Sequence, residues 1–153
     1  GTTTLTLPTT SGTVLTSASS QVAGPAFCAY PSTPQTISAN TWTKITLGTE
    51  IFDTNSCFAS SRFTPTVAGY YQINARFGNG GSATEVVASI YRNGLSWALG
   101  SDATSGFIST VSELIYFNGS TDYVEMYGLL TAGTACSANQ DRMMFSGALV
   151  RAA

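Results

Sequence analysis

Tyr70-Tyr71-Gln72-Ile73-Asn74-Ala75-Arg76-Phe77 alternates without a break. Tyr71, Ile73, Ala75 and Phe77 share one side, against Tyr70, Gln72, Asn74 and Arg76. A period of two belongs to a half-buried β-strand, because successive side chains leave opposite faces of the pleat. One of the two tyrosines is therefore expected in a core and the other on the opposite face. Just ahead, Pro65 suits an irregular strand entry, and Gly69 marks a place where backbone space or a positive φ is needed.

The same alternation recurs on either side. In Thr41-Trp42-Thr43-Lys44-Ile45-Thr46-Leu47 it sets Trp42 and Thr46 against Thr43, Ile45 and Leu47. Gly78-Asn79-Gly80-Gly81, Asn93-Gly94 and Asn118-Gly119 punctuate the runs with residues that favour tight reversals. No stretch places apolar residues at i, i+3 and i+4 between caps. Ser and Thr exceed a quarter of the 153 residues, a mix that disfavours helix and suits strands. Short strands with frequent turns predict an all-β sandwich or jelly roll.

Two unequal parts follow. Residues 1–22 carry no charge, and Leu5, Leu7, Val14 and Leu15 are too few for a core. This part is expected to be an extended segment that needs partners. Residues 23–153 hold nearly all the aromatics and are expected to fold as one domain. The chain opens on Gly1-Thr2-Thr3-Thr4 without Met, so it reads as a piece of a longer protein. No basic flank and apolar stretch suggest a signal peptide.

Composition narrows the chemistry. A net charge of −2 with 9% charged residues supplies no basic stripe for nucleic acid. No apolar run reaches the roughly 20 residues that span a bilayer, so membrane insertion is not expected. Histidine is absent, which removes Ser-His-Asp and Cys-His sites and imidazole zinc sites. Cys28, Cys57 and Cys136 are odd in number and widely spaced. They read as three buried thiols, or else as one disulfide and a spare thiol. The eight carboxylates single out no glycosidase pair. Asp122 and Glu125, three apart in an expected strand, would face opposite ways. The Gly-rich loops match no phosphate motif. Neither a metal nor another cofactor is expected, and the chain reads as no enzyme.

Two resemblances add to this. Thr4-Leu5-Thr6-Leu7-Pro8-Thr9-Thr10-Ser11-Gly12-Thr13-Val14-Leu15 resembles an element of bacteriophage tail-fibre and tail-spike proteins, "x-L-T-L-P-x-x-x-G-T-V-x". Phe63-Thr64-Pro65-Thr66-Val67-Ala68-Gly69-Tyr70-Tyr71-Gln72-Ile73 resembles the complement globular head signature, "F-x-P-x-x-x-G-x-Y-x-F/I". Further matches run in order: Pro25-Ala26-Phe27, then Lys44-Ile45-Thr46-Leu47 with Phe52-Asp53. Ser89-Ile90-Tyr91-Arg92-Asn93-Gly94 and Phe145-Ser146-Gly147-Ala148-Leu149-Val150 complete them. Ile73 in place of the usual Phe, and Gly119-Ser120-Thr121-Asp122 in place of "G-D", are departures. The second resemblance implies a ten-stranded jelly roll of the kind shared with the tumour necrosis factor superfamily. It also implies a homotrimer, as fibre shafts do. Leu5, Leu7, Tyr70, Tyr71 and Phe145 are the expected trimer contacts.

Up-and-down strands then put Asn93-Gly94, Asn118-Gly119 and the chain's two ends at a base. The connections 31–41, 78–84, 101–107 and 131–142 fall at the far end. Exposed polar loops on a rigid scaffold suit receptor binding. The expected contacts are Asn79, Asp102, Thr104, Ser105, Thr134, Ser137, Asn139, Gln140 and Asp141. Asp102 and Asp141 read as solvated carboxylates rather than calcium ligands. Trp97 is expected to pack in the core. The role implied is a tail-fibre tip, made in the host cytoplasm and carried on the virion. It would bind a host cell-surface glycan or protein, with several copies acting together. Three rivals stand beside it: a structural trimerisation cap or capsid decoration domain, a polysaccharide-cleaving tail enzyme, and a secreted complement-like protein.

Overall fold

A computed structural model describes residues 24–79, 85–104, 107–132 and 134–153. The expected fibre segment 1–22, with Leu5 and Leu7, lies outside the described residues, as does Ser105.

The described residues form thirteen β-segments rather than ten strands. They are β1 (Ala26–Tyr30), β2 (Thr36–Ile37), β3 (Thr43–Lys44), β4 (Thr49–Asp53), β5 (Phe58–Ala59), β6 (Arg62–Phe63) and β7 (Gly69–Gly78). Then come β8 (Val86–Arg92), β9 (Leu95–Leu99), β10 (Ile108–Phe117), β11 (Val124–Leu130), β12 (Thr134–Ala135) and β13 (Met144–Ala152). The higher number comes from β2, β3, β5, β6 and β12, each of two residues. These are short ladder pieces where the chain crosses between longer strands. Thr41–Leu47 is one such case. Only Thr43 and Lys44 pair, yet Ile45 and Leu47 are still buried as the alternation requires.

One sheet has the order β10-β7-β13-β1-β4, and the other β5-β6-β11-β8-β9 with β3 beside β11. Their facing sides enclose the core. Phe27 stacks on Phe63 at 4.3 Å and on Phe58 at 4.9 Å, while Phe145 meets it edge-on. Such offset and edge contacts suit the ring quadrupoles. Tyr71, Ile73, Ala75 and Phe77 all face inward. The Tyr71 hydroxyl donates to the Val67 carbonyl at 2.8 Å, so the buried polar atom is satisfied. Burial, helped by Cys57, pushes its pKa up to about 12.

Gly69 is required by space: a Cβ there would collide with the Arg151 carbonyl oxygen and the Ala152 Cα. At Gly128 a Cβ would enter the Phe77 ring. Cys28, Cys57 and Cys136 are buried and unpaired, which decides between the two cysteine readings in favour of thiols. Burial first of all raises the pKa of Cys28 and Cys136.

Candidate functional site

The long connections do meet at one end. Thr134 and Ala135 pair with Ile37 and Thr36. Asn79 bridges Cys136, and Val86 bridges Ala103. Ser137 N donates to Gly78 O, and Asn40 N to Leu130 O. The opposite end gathers the tight turns. Asn118 Oδ1 accepts from the backbone of Ser120, Thr121 and Asp122, while Tyr123 N donates to Asn93 Oδ1.

At the loop-bearing end, Asp102, Thr104, Asn139, Gln140 and Asp141 are exposed. Asn79 and Ser137 are buried, contrary to their reading as receptor contacts. The reason is local pairing: β7 continues through Gly78 into the Asn79 bridge instead of turning there, and the backbone of Ser137 is tied to Gly78. Asn139 O accepts from the N–H groups of Arg142 and Met143, a turn that holds up residues 139–142.

The outer face of the five-stranded sheet holds a second surface. Cross-strand partners there are Phe52, Cys28, Ser146, Asn74 and Ser112 in one row, then Ala148, Gln72 and Leu114, then Tyr70 and Tyr116. Leu114 is 54% exposed, Phe52 47%, Tyr70 44% and Tyr116 42%. Tyr70 and Tyr116 pack edge to face at 5.4 Å. In the two rows beside them Gln72 Nε2 donates to Ser112 Oγ, which donates to Asn74 Oδ1 at 2.7 Å. Tyr71 and Phe145 do not belong to this surface. Both are wholly enclosed in the chain's own core, because their positions on the pleat put them on the inward face. Their side chains are therefore out of reach of another copy.

Beside this face, edge strand β9 exposes Leu95, Trp97 and Leu99. Trp97 is 52% exposed rather than packed in the core. A register shift opposite Ile90 and Tyr91 pairs Ser96 and Ala98 with β8 and leaves Trp97 out of the ladder. The Arg92 guanidinium covers its ring at 4.9 Å.

A third surface, on the outer face of the other sheet, had no sequence reading as a site. Glu125 Oε1 accepts from Lys44 Nζ at 2.7 Å and from Arg62 Nε at 2.8 Å. Burial alone would raise the Glu125 pKa. The hydrogen bonds and charges of Lys44 and Arg62 outweigh it and hold the carboxyl below its ordinary range. The Arg62 guanidinium lies 3.8 Å over the Tyr123 ring. Tyr91 stacks on Tyr127 at 3.8 Å, and Trp42 tilts against Tyr91. Register explains the gathering: Glu125 is opposite both Tyr91 and Arg62, and Tyr127 is opposite Lys44. A cavity of about 440 Å³ opens beside Lys44 and Arg62. Alternation in β8 and β11 placed these residues on one face, but only strand order brings Lys44 and Arg62 to them. Asp122 is not in a strand. It closes the base turns, accepting from Asn93, Arg92 and the Asn118 backbone, and the Asn93 hydrogen bond leads the causes that lower its pKa.

Known structures share this architecture. Murine APRIL aligns with 83% of this chain and 99% of its own, at TM-score 0.65 and 6% identity. The globular domain of zebrafish complement 1qA aligns with 85% of this chain and 99% of its own, at TM-score 0.61 and 16% identity. The PRD1 vertex protein aligns with 84% of this chain and 98% of its own, at TM-score 0.64 and 16% identity. The fold is thus the jelly-roll sandwich seen in tumour necrosis factor-like and complement globular domains. No family model and no curated protein sequence matches the chain.

Proposed function

We propose that the chain is the trimer-forming, receptor-binding tip of a bacteriophage tail fibre. The observation that carries this reading is the outer face of the five-stranded sheet. Phe52, Tyr70, Leu114 and Tyr116 form an apolar patch that no described residue covers, beside an edge strand that offers Leu95, Trp97 and Leu99. An apolar patch of this kind marks an association surface. An edge of one copy set on the face of the next is a head-to-tail contact, which closes into a ring when the rotation between copies is a third of a turn. Tyr70 stays in the trimer interface assigned from sequence, joined by Tyr116 and Leu114.

Closing the ring leaves the loop-bearing end free. Asp102, Thr104, Asn139, Gln140 and Asp141 are exposed there to meet a host glycan or protein. The likeness to a PRD1 vertex protein supports a place on the virion. Attachment is the role proposed, and the two carboxylates weighed as a catalytic pair, Asp122 and Glu125, are each engaged by cations. The same likeness favours a second reading, a structural cap that only holds three chains together.

The test is binding of labelled protein to susceptible cells, with intact phage as competitor. Sedimentation across a dilution series supplies the mass. Saturable binding blocked by phage, from a species of three chains, supports the tip. A trimer that binds no susceptible cell supports the cap. A folded monomer at every concentration would sink both.

A further inference from the structure

We propose that the cavity between Lys44, Arg62 and the 56–64 loop is a subsite for an acidic saccharide, whose carboxylate or phosphate it grips. The inference rests on the attachment reading only in making that saccharide a cell-surface one. Two cations share one carboxylate oxygen, Glu125 Oε1. Lys44, Arg62 and Glu125 together therefore keep one positive charge, while the nearby Asp53 carboxylate is taken up by the Cys57 and Phe58 N–H groups. Arg62 commits only Nε to Glu125. Among the described residues its terminal nitrogens take no hydrogen-bond partner. Those are the donors that a planar guanidinium offers to carboxylate or phosphate. Tyr123 under the guanidinium holds it in place, so little freedom is lost on binding.

The loop adds an independent observation. Ser56 (φ 51°), Ser60 (φ 51°) and Ser61 (φ 57°) lie in the left-handed region, where glycine is at ease and a side chain is strained. Ser61 has an internal reason, since its Oγ accepts from Leu47 N at 2.8 Å. Ser56 and Ser60 line the cavity, and among the described residues their hydroxyls make no hydrogen bond. Exposed and without a partner among the described residues, these hydroxyls are free to meet a ligand that enters the cavity. The backbone is held for the purpose: Asp53 accepts from Cys57 N and Phe58 N, and Thr64 N donates to Cys57 O. At about 440 Å³ the cavity is within the roughly 300–1,000 Å³ of small-ligand pockets and too large for a bare anion. Hydroxyls of Ser56, Ser60 and Thr64 with the Lys44 and Arg62 cations around one cavity suit a sugar ring that carries an acid.

The experiment is a backbone amide shift titration of the whole chain at low salt. The probes are trigalacturonate, glucose 6-phosphate, neutral maltotriose and inorganic phosphate. The expected result is saturable shifts at residue 44 and residues 56–64 with one or both acidic sugars, and at least tenfold weaker binding of maltotriose and of phosphate. Comparison of the two acidic sugars tells carboxylate from phosphate. Arg62→Gln and Lys44→Gln should each weaken binding about tenfold. Ser60→Gly should raise Tm while weakening binding threefold or more, which a purely structural serine would not do. Equal binding of maltotriose, equal binding of phosphate, or no shift at these residues would overturn the proposal. So would a Ser60→Gly chain with higher Tm and unchanged affinity. If acidic sugars fail while cell binding persists, only this subsite falls. If sugars bind and cells do not, the attachment reading falls instead.

Discussion

Turned away from the core of the five-stranded sheet are Phe52, Tyr70, Leu114 and Tyr116, large apolar groups with much of their surface in water. Turned away from the core of the other sheet are Lys44, Arg62, Tyr91, Tyr123, Glu125 and Tyr127, which are occupied with one another. Both faces come from the same period-two alternation, yet among the described residues one is completed and the other is not. Apolar area gains only by leaving water, and none of the described residues lies over the first face. Ion pairs and stacked rings satisfy the second face locally: Glu125 is buried, while Lys44 and Arg62 keep their contact with solvent. The first face thus suits association with copies, and the second suits exposure to small polar ligands.

The largest effect expected of any variant is on the first face. Leu114→Glu together with Tyr116→Glu should convert the proposed trimer to folded monomer, because a ring of three copies would bury six like charges. Sedimentation and circular dichroism check this. A trimer of unchanged mass would show that copies associate elsewhere, and the contrast between the two faces would collapse.

A middle effect is expected on the second face. Glu125→Gln should lower stability by about 1–3 kcal/mol at pH 7, the usual scale for removing one partner of a buried polar group. Because the folded-state pKa of Glu125 is depressed, its contribution is present above the unfolded value of about 4.3 and is lost as pH falls through the folded value. The Asp122 shift has the same sign. Urea midpoints measured from pH 6 down to pH 3 should therefore fall in the wild type and fall less in Glu125→Gln. Parallel curves would mean that Lys44 and Arg62 do not hold the carboxyl.

The smallest effect on stability belongs to the loop-bearing end. Asp102→Ala with Asn139→Ala should change stability by less than about 0.5 kcal/mol, as exposed substitutions do. Cell adsorption should drop several-fold. Unchanged adsorption would move receptor binding off this end and toward the flank beside Arg62.

Legibility differed by element. The alternation of Tyr70–Phe77 was readable because a pleat has only two faces, and its inward set is the buried one. Asn93-Gly94 was readable because both residues tolerate the left-handed backbone, which they adopt at φ 52° and 82°. Asn79 was misread because Gly and Asn signal a turn locally, while pairing with Cys136 carries the ladder on to Asn79 itself. Trp97 was misread because a bulge opposite β8 has no local mark in β9. The Glu125 cluster was invisible for another reason. Lys44, Arg62 and Glu125 lie far apart in sequence, and nothing in three isolated charges says that they meet.

By itself, then, the sequence determined the class of fold: β-rich composition, alternation and turn residues act over a few neighbours and need no knowledge of the rest of the chain. It also determined the end at which the long connections gather, since antiparallel strands alternate in direction. Only the tertiary structure decided which outward faces are left unfinished and which charges share a carboxylate. Those depend on strand order and register, which bring residues such as Arg62 and Glu125 side by side across a separation no local pattern encodes.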